Sequence, residues 1–216
     1  FEELRESGID ASLIAGEEQI LDEEATHISS TIEMCNFDVD VDVCVIDEVQ
    51  MIDDRDRGWA WANAIIGAPA KEIIMTGSPN VKDAIIALAA YLQEELEIVE
   101  FERKNPLTLL DAPTHEKDVT EATAINAYTR KDVLKLKQTF SKYFSVSVVY
   151  GNLSPEVRRE EARRFRSGET QILVATDAIA MGMNLPIKTI LFSKAEKFDG
   201  VNDRVLLPSE IHQISG

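Results

Sequence analysis

Two carboxylates stand side by side where an apolar run ends. In VCVIDEVQMI (43–52), Val43, Val45 and Ile46 read as a buried strand, and Asp47 and Glu48 follow it. In parallel α/β sheets the loops at the carboxyl ends of strands converge on one crevice, so functional groups gather there. An Asp leaving such a strand is well placed to hold Mg2+, usually through water, beside the phosphates of a nucleotide. A neighbouring Glu can accept a proton from an attacking water. The competing reading is a solvated turn, because Asp53, Asp54 and Asp56 follow closely and look like surface. On its own the pair favours that second reading.

Other stretches place polar residues at similar points. MTGSPN (75–80) sets Thr76, Gly77 and Ser78 at the end of another apolar run. Small hydroxyl residues there can relay hydrogen bonds between a phosphate site and a neighbouring domain, although Ser78 equally suits a helix cap. ILVATDAIAMGMNLP (172–186) carries Thr176, Asp177, Gly182 and Asn184 beyond a further strand, and EIHQISG (210–216) offers Gln213.

The elements that must position these groups alternate in type. VDVCVI (41–46), KEIIMT (71–76), LEIVEF (96–101), AINAY (124–128), VSVVY (146–150), TQILVA (170–175) and IKTILF (187–192) have the apolar, β-branched character of strands. Between several of them lie helix-length segments at 57–67, 81–96 and 154–168. The last opens on Ser154 and Pro155 and closes on Gly168, a strong start-and-stop signature. Val- and Ile-rich strands alternating with helices imply parallel sheets, and so an α/β fold. RKNPLTLLDAPTHEKD (103–118), with two prolines and no clear period, marks a boundary between two α/β units and suggests a hinge.

Composition limits the function. The 216 residues suffice for one large domain or two small ones. No apolar run approaches the 18 residues of a membrane span. The net charge of −17 is uneven: residues 1–104 hold 7 Lys and Arg against 25 Asp and Glu, and residues 105–216 hold 15 against 14. Taken alone, the acidic first half argues against a phosphate-binding surface. Arg130 and Lys131, beside Thr129, are candidate phosphate contacts, while RREEARRFR (158–166) reads as a solvated helix face. Cys35 and Cys44 read as buried reduced thiols, and the three histidines have no metal-ligand spacing. Trp59 and Trp61, two apart on a helix, cannot both face the core. The chain starts at Phe1 without an initiator Met, so it reads as a piece of something longer whose targeting segment would be invisible.

Taken in order and spacing, IDEVQMI, TGS, YGNLSPEVRREEARRF, VATDAIAMGMNLP and HQISG resemble the later motifs of superfamily 2 DExH-box helicases. Within them the resemblance is to the mitochondrial degradosome RNA helicase family and its bacterial relatives. DEVQMIDDRDRGWAWANAIIGAPAKEI (47–73) and the upstream stretch from Ser12 to Met34 are similar to segments of that family. The resemblance covers nearly the whole chain. It implies two RecA-like parallel-sheet domains in tandem, both incomplete: the later part of a first over 1–104 and most of a second over 105–216.

The family roles carry over as expectations. Asp47 would bind Mg2+, and Glu48 would activate the water that attacks ATP. Gln50 and Gln213 would contact the phosphate region or each other, and Gly182 and Asn184 would approach the nucleotide. Thr76, Ser78 and Asp177 would couple hydrolysis to domain motion. Thr31 and Glu33, with Thr129 and Thr176, would touch RNA, mostly through the backbone and 2′-hydroxyls of single strands. The resemblance further implies an exoribonuclease partner, no membrane, and a cytoplasmic location as in the bacterial relatives or, alternatively, the mitochondrial matrix. Two departures stand out: G-x-x-x-x-G-K-[ST] is absent, and the final motif stops at Gly216, before the family's arginines. The chain by itself is therefore expected neither to bind ATP tightly nor to hydrolyse it. A RecA-like interaction module without ATPase activity, or a DNA helicase, remains the alternative.

Overall fold

The computed structural model describes residues 1–16, 18–102, 106–176, 185–198 and 202–215, with only the backbone of Ser209. The chain separates into two compact units, Phe1–Phe101 and Glu102–Gly216. In the first, helix α1 (Glu2–Glu6) precedes strands β1 (Ala11–Ile14), β2 (Gln19–Ile20) and β3 (His27–Ser30), which form a sheet in the order β2-β1-β3. A second sheet pairs β4 (Val41–Ile46) in parallel with β5 (Ala70–Met75), Cys44 lying opposite Ile73 and Ile46 opposite Met75. Helix α2 (Gly58–Gly67) crosses between them and α3 (Lys82–Leu92) follows. Ile46 and Val49 pack with Ala60, Trp61, Ala64 and Ile65 of α2 and with Ile85 of α3, forming one apolar core. Cys35 and Cys44 are free thiols against this core, and burial raises the pKa of both.

The second unit is a parallel sheet of strands β6 (Thr123–Asn126), β7 (Val146–Val149), β8 (Ile172–Ala175) and β9 (Thr189–Phe192), in the order β7-β8-β6-β9. Helices α4 (Arg130–Phe140) and α5 (Pro155–Arg166) cover it, one on each side. Alternate residues of each strand serve opposite faces. Ile125, Val148, Ile172 and Val174 pack with Val133 and Phe140 of α4. Ala124, Val149, Leu173 and Ala175 pack with Phe165 of α5. This two-sided burial explains why the strands read as continuous apolar runs. An antiparallel hairpin, β10 (Glu196–Phe198) with β11 (Asp203–Val205), leads to helix α6 (Pro208–Ser215).

Most expected strands and helices are present within a residue or two. LEIVEF is not a strand: residues 94–102 have no regular structure, and Phe101 is 89% exposed. Among the described residues its apolar alternation has no neighbouring ladder to join, and a strand without hydrogen-bond partners has nothing to hold it. The helix expected over 81–96 stops at Leu92, where Gln93 turns left-handed at φ 60°. Helices α4 and α6, the β1–β3 sheet and the hairpin are additions that the apolar patterns did not reveal. Among the described residues no helix is long and apolar enough to cross a membrane.

Candidate functional site

Ladder bonds beyond the ends of β4 and β5 build the carboxylate site. The Thr76 amide donates to the Ile46 carbonyl at 3.0 Å, and the Val49 amide to the Thr76 carbonyl at 2.9 Å. These bonds draw the 47–50 loop against the 76–78 loop. Asp47 Oδ1 accepts the Glu48 amide at 2.9 Å and also the Thr76 hydroxyl. Among the described residues its second oxygen, Oδ2, takes no hydrogen bond, and the side chain is exposed.

Glu48 adopts a left-handed backbone, φ 56° and ψ 44°, and so turns the strand into the short 3-10 turn Val49–Asp53. That conformation costs a residue with a Cβ roughly 1–2 kcal/mol, and persists where the surroundings determine it. Here they do. The Glu48 carboxylate accepts a bond from Gln50 Nε2, while Gln50 Oε1 accepts the Ser78 amide at 3.2 Å. Gly77 permits the close approach: a Cβ there would lie 2.7 Å from Val49 Cγ2 and 2.9 Å from Gln50 Oε1. The Ser78 hydroxyl bonds Asn80 and does not cap the turn that follows, so the helix-cap reading of its side chain fails.

Thr31 opens the 3-10 turn Ile32–Met34, which presents Glu33. Arg57 Nε donates to Glu33 Oε1 at 2.7 Å, and that bond holds the Glu33 carboxyl below the usual range. The same guanidinium lies 5.4 Å from the centre of the Trp61 ring, and Trp61 Nε1 donates to the Asp47 carbonyl at 2.8 Å. Trp61 is 6% exposed and Trp59 56%, so the tryptophans divide as the spacing requires. Gly58 makes this turn possible, since a Cβ would sit 2.3 Å from the Ile52 carbonyl oxygen. The parts played by Arg57 and Trp61 escaped sequence reasoning. RGWAW (57–61) lies within the stretch that resembles the family, but nothing in its spacing assigned the indole N–H to Asp47.

In the second unit Thr129 and Thr176 follow the neighbouring strands β6 and β8 at the same carboxyl edge of the sheet. Thr129 caps α4: its Oγ1 accepts the Asp132 amide at 3.0 Å and donates to Asp132 Oδ2 at 2.9 Å. Thr129, then Lys194, holds the Asp132 carboxyl below the usual range. These residues line an open cavity of about 340 Å3 with Tyr128, Lys197 and Phe198. Arg130 lies over the Tyr150 ring at 5.5 Å. Two arginines of α5 are paired locally, Arg163 with Glu160 and Glu169 and Arg164 with Glu161, while Arg158 donates to the Gly151 and Leu153 carbonyls.

Gln213 lies half-buried on α6. The helix is tied to the hairpin by Glu210, which accepts both Arg204 terminal nitrogens at 2.8 Å, Lys197 Nζ at 2.7 Å and the Leu207 amide at 2.8 Å. Arg204 first, with Lys197 and the Leu207 amide, lowers the Glu210 carboxyl to about 2. Asp177, Gly182 and Asn184 lie outside the described residues.

The first unit thus assembles Asp47, Glu48, Gln50, Thr76 and Ser78 into one bonded loop pair, with Glu33 attached through Arg57. Among the described residues no cluster of three or more His, Cys, Asp or Glu forms a metal cage. Mg2+ keeps several waters and uses one or two carboxylates beside substrate phosphates. Asp47, with one oxygen open, fits that role. The 216 residues contain no phosphate-cradling G-x-x-x-x-G-K-[ST] loop.

Comparison with known proteins gives the family of the chain. Residues 1–101 match the family described as DEXQ-box helicase domain of Suv3, and residues 106–216 match the helicase conserved C-terminal domain. The chain is 35% identical to the ATP-dependent RNA helicase SUV3, mitochondrial, of Saccharomyces paradoxus, over 100% of this chain and 30% of that protein. The Candida albicans protein of the same name is 38% identical over 100% and 31%. DExH-box ATP-dependent RNA helicase DExH16, mitochondrial, of Arabidopsis thaliana is 36% identical over 99% and 38%. The chain therefore spans roughly a third of the length of these relatives. Among solved structures, S. cerevisiae Dbp5 bound to RNA and ADP BeF3 superimposes with TM-score 0.65 at 16% identity, over 95% of this chain and 60% of that one. Mycobacterium smegmatis helicase Lhr bound to ssDNA and AMP-PNP gives 0.62 at 15% identity, over 89% and 33%. At such identity these two establish the fold, with RecA-like helicase domains, and nothing further.

Proposed function

The chain belongs to the superfamily 2 DExH-box helicases of the Suv3 type, and from that premise we propose that the whole protein is an ATP-dependent RNA helicase. Residues 1–104 would be the later part of a first RecA-like domain and residues 105–216 most of a second. The observation that carries the reading is the loop pair at the ends of β4 and β5. It holds an open carboxylate, Asp47, beside a second, Glu48, whose backbone and side chain are both fixed.

Asp47, whose second carboxylate oxygen takes no hydrogen bond among the described residues, would hold Mg2+. The ion would supply positive charge to offset that of the phosphate oxygens. Glu48 accepts the proton of the attacking water. Gln50, now bonded to Glu48 and Ser78, and Gln213 read the phosphate region, with Gly182 and Asn184 near the nucleotide. Thr76 touches Asp47 directly, which supports a coupling role for it, together with Ser78 and Asp177. Thr31, Glu33, Thr129 and Thr176 contact single-stranded RNA. The relatives' names support a mitochondrial location over a cytoplasmic one. An exoribonuclease partner remains part of the proposal.

In the whole protein, Glu48→Gln is expected to lower RNA-stimulated ATP hydrolysis by about 10²–10⁴-fold while leaving the fold intact. Hydrolysis retained at the unmutated rate would sink the assignment. Stimulation by DNA but not RNA would redirect the reading to a DNA helicase.

A further inference from the structure

We propose that Arg57 and Trp61 are positioning residues that join the loop bearing Thr31 and Glu33 to the loop bearing Asp47, so that RNA at the first alters nucleotide affinity at the second. The inference rests on the roles assigned above to those loops, and it names the physical link between them.

Three features make the link continuous. The first is a rigid base for Arg57. Its amide donates to Asp54 Oδ1 at 2.8 Å, and the Gly58 amide donates to the Asp54 carbonyl at 2.9 Å. Gly58 lies so close to the Ile52 carbonyl that no side chain fits. The guanidinium therefore springs from a fixed turn and reaches a carboxylate 24 residues earlier in the chain.

The second is the stacking of Arg57 on Trp61. The two are four residues apart at the start of α2, so they share a face of the helix. A guanidinium 5.4 Å from the ring centre is within cation–π range. The third is the indole N–H. Trp61 is buried and its one polar atom is committed to the Asp47 carbonyl at 2.8 Å. A shift of the ring must stretch that bond or move the main chain that carries the metal-binding carboxylate.

The outer end of the link is open to solvent. The Arg57 and Glu33 side chains are 40% and 30% exposed. Phosphate is a strong partner for a guanidinium. An RNA phosphate arriving beside Glu33 competes with its carboxylate for Arg57, and the guanidinium then changes its hold on the indole. This supplies a two-state element that both sites bias, as coupling between sites requires.

The test measures the affinity of the whole protein for a magnesium–ATP analogue with and without a single-stranded RNA oligomer, the ratio being the coupling. The unmutated protein is measured first. If RNA leaves its nucleotide affinity unchanged, the functional reading fails and takes the link with it. Given coupling, Arg57→Gln is expected to lower the ratio by about tenfold. Trp61→Phe, which keeps an aromatic ring and removes the N–H donor, should lower it similarly. The double variant should lose little more than either alone, because both act on one path. Trp59→Phe should leave the ratio alone. Arg57→Lys provides a second version that retains the charge but not the planar fork, and it too should lose coupling. An unchanged ratio in Arg57→Gln and Arg57→Lys, or losses that multiply in the double variant, would overturn the proposal.

Discussion

The two parallel sheets of this chain are built from similar residues but buried differently. In the second unit every residue of β6, β7 and β8 is buried, because α4 and α5 close opposite faces. In the first, α2 and α3 contribute to one core, and the other side of β4 and β5 leaves Val43, Val45 and Ile74 at 46%, 63% and 44% exposure. Cys44, Ile46, Ile73 and Met75 pack inward while their chain neighbours do not. Apolar strands thus prescribe a sheet suited to two covered faces, but covering each face needs its own helix. The functional edge differs as well. In the first unit it is a mesh of side-chain bonds around Asp47, whereas Thr129 in the second serves first as a helix cap.

The largest expected effect comes from breaking that contrast at its centre. Leu173, fully buried on β8, should cost the second unit ~2–5 kcal/mol when changed to Ala. Val45→Ala should shift the first unit by no more than ~0.5 kcal/mol. Both tryptophans lie in the first unit, so fluorescence during urea unfolding follows that unit and amide exchange follows the second. A Val45 deletion as costly as the Leu173 deletion would mean that the bare face is covered in solution.

Next in size is the glycine that seats the two loops together. Gly77→Ala places a methyl group 2.7 Å from Val49 and should cost roughly 1–3 kcal/mol of first-unit stability, read from the same fluorescence transition. A silent substitution would show that the 76–78 loop is not held against Gln50. The caps distinguish the units more gently. Thr129→Ala removes a bond to the Asp132 amide and should cost ~1 kcal/mol, while Ser78→Ala, which removes no cap bond, should cost less.

The most local expected effect is a pH response confined to the hairpin and α6. The folded pKa of Glu210 is lowered to about 2 from an ordinary value of 4.5, with Arg204 the main cause. A depressed carboxylate contributes stability that is full above its unfolded pKa and is lost as pH falls through the folded one. Exchange protection of the Leu207 amide, which donates to Glu210, should therefore hold above pH 4.5 and decline toward pH 2. In Glu210→Gln that protection should be weak throughout. Constant protection in that variant would remove Glu210 as the tie.

Much of this was legible from residue order. The bounds of β4 follow from Val41–Ile46 alone, and α5 follows from Ser154, Pro155 and Gly168. The alternation in LEIVEF misled because a strand is a relation between segments, and among the described residues no ladder receives this one. Helix α4 carried a readable signal in Thr129 and Asp132, but its many charges concealed the apolar stripe of Val133 and Phe140.

By itself the sequence determined which chemistry was possible: the carboxylate pair at a strand end, the hydroxyl residues at the next, and the alternation of elements that forms parallel sheets. These depend on local residue type and period, which the chain carries along its length. Only tertiary structure decided that Glu48 would sit left-handed, that Thr76 would grip Asp47 from 29 residues away, and that Arg57 and Trp61 would join Glu33 to the Asp47 carbonyl. Those contacts depend on where two loops meet after packing, and no spacing along a chain encodes that meeting directly.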